Sequence, residues 1–339
     1  MQGGHIVWLD LVGHRVVVRR SVGPRHGRSR YSDVLGHLEA ADGDALVVRR
    51  ADGSRVSVPV SEVHLIKGVP PAPVRTTRAD VLALEAVAAL GWPAPDTERI
   101  GGWLLRAGAG FTNRANSVLP LDDPGLPVPV ALARVESWYD ARGLPARFQL
   151  PLPVRADLDT ELHQRGYLAH DPTYVLTAGL PAVLGAAAGD PGSTPVPPGD
   201  LTTRLASEPD PEWLTGYHHR GAPDLPPVAV QIMTSHPRVV FASSVRDGQT
   251  LAVARAVVDQ DWVGLTAMEV REDQRRQGLA SRLLRAVLEW ADTQGASRIY
   301  LQVAQTNIGA LALYDRLGFA RHHQYRYRVG PAIRPTQPG

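Results

Sequence analysis

Two arginines, a glycine and an alanine hold the clearest chemical signal in the chain. Arg275 and Arg276 stand three and two positions before Gly278, and Ala280 stands two after it. They lie between an apolar run, Trp262 to Val270, and a segment with helical periodicity. A helix N-terminus offers backbone N–H groups without partners and about half a positive charge. A phosphate satisfies both. Gly278 would let the backbone approach such a ligand, Ala280 would keep the first turn clear, and Arg275 and Arg276 would add charge beside it. Taken alone, the same pattern also fits an ordinary exposed strand–helix connection.

The elements that position this loop can be read from periodicity. From Ala280, apolar residues recur at Leu283, Leu284, Val287, Leu288 and Ala291, one face of a helix. Gly295 ends that helix. Ile299, Leu301 and Val303 alternate, so a strand follows. Asn307 is a good N-cap for a second helix with Ala310, Leu313, Tyr314 and Leu317 on its buried face. Gly318 stops it, and Phe319 starts the next apolar run.

Taken jointly, these features resemble the GCN5-related N-acetyltransferase (GNAT) superfamily. Its signature is a strand ending in a branched apolar residue, then R/Q-x-x-G-x-G/A opening a helix. Here it is matched by Val270 and Arg275 to Ala280, with alanine in place of the commoner glycine. The later segment, with an asparagine and then Tyr-x-x-x-Gly-Phe, is matched by Asn307 and by Tyr314, Gly318 and Phe319. The resemblance covers residues 200–330 and implies an α/β (α+β) fold with a mixed central sheet flanked by helices.

The resemblance also implies acetyl-CoA as co-substrate. Backbone N–H groups across Gln277, Gly278, Leu279, Ala280 and Ser281 would hold the pyrophosphate. The strand end Met268-Glu269-Val270 would pair with the pantetheine arm, and Asn307 would sit beside it. Tyr314 would lie near the thioester sulfur as general acid, although its place on the apolar stripe also fits a core tyrosine. Glu269, the carboxylate nearest in sequence to that strand end, or a chain of waters would deprotonate the amine. Glu269 could equally be the solvent side of its strand, Asn307 only a cap, and Arg275 and Arg276 an exposed pair.

Residues 73–181 repeat this pattern at an offset of 152 positions. Trp138 falls on Trp290, Asp140 on Asp292, Gly143 on Gly295, Gly166 on Gly318, Tyr167 on Phe319 and Val118 on Val270. A single offset aligning so many elements indicates an internal repeat, read as a degenerate GNAT-like unit. Opposite the loop stand Asp123 to Val128 with two prolines, which remove amide donors. Opposite Tyr314 stands Leu162. This unit is not expected to bind acetyl-CoA.

Residues 1–72 read as short strands separated by Gly23-Pro24, Asp42-Gly43 and Asp52-Gly53. They suggest a small all-β, SH3-like barrel. Residues 182–199, built from Ala, Gly, Pro, Ser and Thr, read as a linker, and 331–339 as a flexible tail.

Composition bounds the rest. The 339 residues are too many for one ordinary domain. Net charge is +2, so no general electrostatic attraction to nucleic acid is expected. There is no cysteine, which excludes disulfides and thiolate chemistry. No apolar run approaches a membrane span and no secretory signal is read, so the expected location is cytoplasmic. His218-His219 and His322-His323 are adjacent pairs, poor as metal ligands, and no metal is expected. The leading reading is an N-acetyltransferase acting directly on an amine. The acceptor is a small molecule (aminoglycoside, polyamine or amino acid) or a protein lysine or N-terminus recruited by the barrel. A non-catalytic acyl-CoA sensor is the alternative.

Overall fold

The computed structural model describes Trp8 and residues 11–25, 28–50, 53–68, 76–189, 201–217 and 225–331. They fall into two compact units, Met1–Arg75 and Thr76–Gly339.

In the first unit, β1 (Arg15–Arg25) and β2 (Arg28–Ala41) form a long hairpin. β3 (Ala45–Arg49), β4 (Arg55–Pro59) and β5 (Val63–Gly68) complete an antiparallel sheet of order β4-β3-β2-β1-β5. Period-2 alternation puts Val16, Val18, Val34, Leu38, Leu46, Val48 and Val58 on one buried face. Gly36 is required where β2 crosses β3, since a Cβ there would lie 2.2 Å from the Arg49 carbonyl oxygen. This unit is consistent with the expected small barrel.

The second unit opens with α1 (Arg78–Leu90), whose N-cap Thr77 and Asp80 form a capping box. β6 (Asp96–Ile100), β7 (Trp103–Ala107), β8 (Leu119–Pro120), α2 (Val128–Asp140), β9 (Arg147–Leu152), α3 (Ala156–Gln164) and β10 (Leu168–Gly179) follow. After α4 (Leu180–Gly189) come β11 (Thr202–Ala206), α5 (Pro211–Gly216), α6 (Pro227–Thr234), β12 (Val239–Arg246), β13 (Gln249–Asp259) and β14 (Trp262–Val270). The chain then runs through α7 (Leu279–Thr293), β15 (Arg298–Ala304), α8 (Ile308–Arg316) and β16 (Ala320–Val329).

The offset of 152 reappears in the elements. It carries α3 onto α8 residue for residue, and α2, β9 and β10 onto α7, β15 and β16 within one or two residues. Each half contains a strand running parallel to the one after its helix: Val118 bridges Phe148 in the first, and β14 pairs with β15 in the second. The halves share one sheet of order β11-β12-β13-β14-β15-β10-β16-β9. Their last strands are exchanged, β10 lying beside β15 and β16 beside β9. Where β10 meets β16, Thr173 faces Tyr325. These positions are equivalent under the offset, so an approximate two-fold passes between them.

One face of the sheet packs on α7 and α4 through Leu283, Leu284, Val287, Leu288, Val263, Leu265 and Leu301. On the other face α1 covers the exchanged strands, with Leu84, Val87 and Ala88 against Tyr300, Tyr325 and Tyr327.

The linker expected over 182–199 is shortened by α4. Its alanines favour helix, and Val183 and Ala187 are buried in the core beside α7. Residues 190–200, and the tail from 332, lie outside the described residues.

Candidate active site

β14 and β15 are hydrogen-bonded in parallel only from Trp262 with Arg298 to Leu265 with Leu301. Both strands continue, to Val270 and Ala304, without pairing to each other. The backbone edges of Thr266 to Val270 on one side and of β15 on the other therefore diverge. A β-bulge in β14 marks the start of the split. Val253 faces Glu269 while Arg255 faces Thr266, so β14 holds one extra residue, and Ala267 takes a left-handed φ of 52°.

The bulge reverses the alternation of the strand. Met268 and Val270 pack on the α7 side, against the core cluster that includes Tyr314. Ala267 joins the cluster on the opposite face, with Trp92, Phe111, Trp213 and Tyr217. Glu269, between Met268 and Val270, takes that same opposite face. Thr266 to Val270 are all partly exposed.

The loop after β14 brings the chain to the helix N-terminus. Arg275 is exposed and its Nε donates to the Val270 carbonyl at 3.3 Å, which ties the loop to the end of β14. Arg276 and Gly278 both have left-handed φ, 61° and 74°. Gly278 is the N-cap of α7, and no side chain caps the helix. The first bonded amide of the turn is that of Arg282, to the Gly278 carbonyl at 3.0 Å. The amides of Gly278, Leu279 and Ala280 therefore have no acceptor within the helix. A Cβ built on Gly278 meets nothing within 4 Å, so the position opens outward. Leu279 and Ser281 are buried, with Gln277 exposed and Ala280 partly so.

Tyr314 is buried, in edge contact with Phe319, and burial pushes its hydroxyl up to about 12. Asn307 caps α8, its Oδ1 accepting from the Ala310 amide at 3.1 Å. That bond occupies the oxygen and leaves the side-chain amide nitrogen to other partners.

The corresponding loop of the first repeat is filled by its own chain. The Gly102 amide donates to the Asp123 carbonyl at 2.7 Å, and Asp122 and Pro124 sit where Cβ atoms on Gly102 and Gly101 would be. Pro127 is the N-cap of α2, with a further proline in its first turn. Leu162, opposite Tyr314, is fully buried.

His322 and His323 lie 2.8 Å apart, Nδ1 to Nδ1, and join a hydrogen-bonded chain. His323 Nε2 lies 2.8 Å from Glu85, Gln149 donates to the other Glu85 oxygen at 2.7 Å, and Arg106 donates to Gln149 at 2.9 Å. Among the described residues, no group of three or more potential ligands converges. His218 and His219 lie outside the described residues. Among the described residues, no helix is long and apolar enough to cross a membrane.

One feature of this site had no signal in the sequence motifs. Arg114, in the short turn Arg114–Asn116 of the first repeat, and Arg255, on β13, both lie against Trp92 on the Glu269 face. Neither belongs to a motif, and only the packing of the two repeats brings them together.

Comparison with known proteins agrees with this geometry. The family described as "Probable histone acetyltransferase Rv0428c C-terminal" matches residues 78–328. The probable histone acetyltransferase Rv0428c of Mycobacterium tuberculosis is 32% identical over 337 residues, 97% of this chain and 98% of that protein. The uncharacterized N-acetyltransferase YobR of Bacillus subtilis is 28% identical over 253 residues, 74% of this chain and 98% of its own. Among solved structures, a GCN5-related N-acetyltransferase from Kribbella flavida superposes with a TM-score of 0.55 at 15% identity, covering 76% of this chain and 97% of that one. A tandem GNAT protein from the clavulanic acid biosynthesis pathway gives 0.53 at 16% identity, covering 80% and 91%. The chain belongs to the GCN5-related N-acetyltransferase superfamily, as an N-acetyltransferase of the family described by the Rv0428c C-terminal region.

Proposed function

We propose that the chain moves an acetyl group from acetyl-CoA to a primary amine by direct transfer in a ternary complex. The observation that carries this reading is the convergence of the β14–β15 split with the uncapped N-terminus of α7. The pyrophosphate sits on the amides beside Gly278, with Arg275 and Arg276 adding charge. The pantetheine arm lies along Met268 to Val270, with Asn307 beside it. Acetyl-CoA supplies the activated acyl group, and the chain aligns the two reactants.

The acceptor approaches from the Glu269 face. Glu269, directly or through water, takes a proton from the ammonium form of the amine. The amine nitrogen then bonds to the thioester carbonyl carbon, and a β14 amide at the bulge steadies the oxyanion. The carbon–sulfur bond breaks as the oxyanion collapses, and Tyr314 gives its proton to the departing thiolate and takes back the one left on the acylated nitrogen, directly or through water, leaving a neutral amide. A hydroxyl held near 12 by burial stays protonated across the working pH range, which suits an acid. The first repeat, its own loop filled, acts as a platform. The relative's description as a probable histone acetyltransferase keeps a protein amine as the second reading for the acceptor.

Melting with and without acetyl-CoA, on the native chain and a Gly278→Glu variant, tests the donor site. Ligand at a hundred times its dissociation constant adds about 2.7 kcal/mol. The variant places a carboxylate in the cradle and is expected to lose that shift. Gly278→Asn, which tolerates a left-handed φ, controls for backbone strain. A shift that survives Gly278→Glu would place the donor elsewhere.

A further inference from the structure

The Glu269 face holds two guanidiniums beside Trp92. The Arg114 and Arg255 side chains lie 5.6 and 5.1 Å from the centre of the Trp92 ring. Arg255 is fully buried. Its donors reach only neutral oxygens: the Met233 carbonyl at 2.7 Å, the Gly91 carbonyl at 3.0 Å and Thr266 Oγ1 at 3.2 Å. Its Nη2 is buried with no partner among the described residues, and so is Arg114 Nε. Arg114 is partly exposed and lies within electrostatic reach of Tyr325. Among the described residues, neither arginine has an ion-pair partner.

Arg328, also buried, instead holds Asp159 through two bonds. Arg106, like Arg255, meets only neutral oxygens, on Ser117 and Gln149, but has no nitrogen among the buried atoms without a partner. A guanidinium stays charged when buried, and a buried charge without a counter-charge is costly. An anion from outside the described residues would answer these two charges.

Position identifies whose anion it is. Arg255 bonds Thr266, the residue before the bulge, on the face opposite α7. Tyr217, partly exposed, lies within electrostatic reach of Arg114, Arg255 and Glu269 together. The donor's phosphates belong to the N-terminus of α7. The anion at Arg114 therefore belongs to the acceptor, and Glu269 on the same face complements an ammonium. Positive and negative groups on one face of the sheet match a molecule that carries both charges.

We infer that the acceptor is a small amine that also bears a carboxylate, of the amino-acid class. Arg114 grips the carboxylate, with Arg255 reinforcing the field behind it and Glu269 receiving the amine. This rests on the acetyl-transfer reading and names its acceptor. It also gives the first repeat a part in the site, because Arg114 and Trp92 both come from it.

The chain has no cysteine, so a chromogenic thiol reagent reads only released coenzyme A. The test supplies the full chain and acetyl-CoA with a panel of α- and ω-amino acids, each beside its carboxamide. It adds phosphoethanolamine, a polyamine and a lysine peptide. The expected result is at least one acid preferred over its amide by about tenfold or more in kcat/KM, the scale of a charge-assisted pair. Arg114→Gln should bring that ratio near one and Arg114→Lys keep part of it, with the acetyl-CoA melting shift intact in both. Amides used as well as acids overturn the inference. So do an unchanged ratio in Arg114→Gln, no turnover of any acid, and a preference for the phosphate, polyamine or peptide. Loss of the acetyl-CoA shift in the native chain would instead sink the donor reading, and that control tells the two failures apart.

Discussion

The exchange of final strands predicts that the two repeats stand or fall together, and one buried pair tests it. Arg328 on β16 donates to Asp159 on α3, Nε to Oδ1 at 2.9 Å and Nη2 to Oδ2 at 3.2 Å. Both side chains are at most 10% exposed, and the bond runs from the second repeat into the first. Removing one partner of a buried pair costs about 3–5 kcal/mol, because the other charge is left uncompensated. Arg328 keeps the Tyr167 carbonyl at 3.0 Å and lies 3.4 Å from His163 Nδ1, while the half-exposed Arg326, 3.3 Å from Asp159, loses its partner too. Asp159→Ala is therefore placed at the lower end, about 3 kcal/mol, and Asp159→Asn somewhat less. For a unit the length of Thr76–Gly339, each kcal/mol moves Tm by about 2–4 °C, so a fall of about 6–12 °C is expected. Tryptophan fluorescence suits the assay. Trp103 and Trp138 report the first repeat, Trp213, Trp262 and Trp290 the second, and only Trp8 lies in the barrel unit. A double-mutant cycle with Arg328→Met isolates the pair. The reasoning fails if Asp159→Ala costs less than about 1 kcal/mol. It fails equally if the two sets of tryptophans melt in separate transitions of which only one moves.

Three further outcomes follow from the structure. Tyr314→Phe should lower kcat about a hundredfold, as expected for loss of a general acid, with little change in the melting shift given by acetyl-CoA; an unchanged kcat would make Tyr314 a core residue only. Glu269→Gln should lower kcat/KM most near neutral pH, and the loss should shrink as pH rises and the amine deprotonates unaided; a pH-independent loss would argue against a base. His322 is pulled down to about 4, by burial first and by the neighbouring His323 second. An unfolded histidine takes its proton near 6.5, so between these values the unfolded chain binds more protons. Stability should be complete above about pH 6.5 and fall as pH drops towards 4, and His322→Gln should flatten that slope in denaturant titrations.

Much of the proposed donor site was legible in one dimension. The strand Trp262–Val270, the helix stripe after Gly278, the cap at Asn307 and the stops at Gly295 and Gly318 are local features, each fixed by period, capping or left-handed φ. The offset of 152 was visible because equivalent elements keep equivalent spacing along the chain. Other features have no local signature. Which face Glu269 takes depends on the bulge at Ala267, since a single extra residue inverts every side chain beyond it. The place of β10 between β15 and β16 depends on pairing between segments more than a hundred residues apart, which no period records. Residues 182–189 looked unable to build a core, yet a helix with two buried side chains formed there, because α7 offered a surface to pack on. Arg114 and Arg255 are unremarkable in the sequence. Only the packing of the first repeat on the second brings both against Trp92 and makes them candidates for a site.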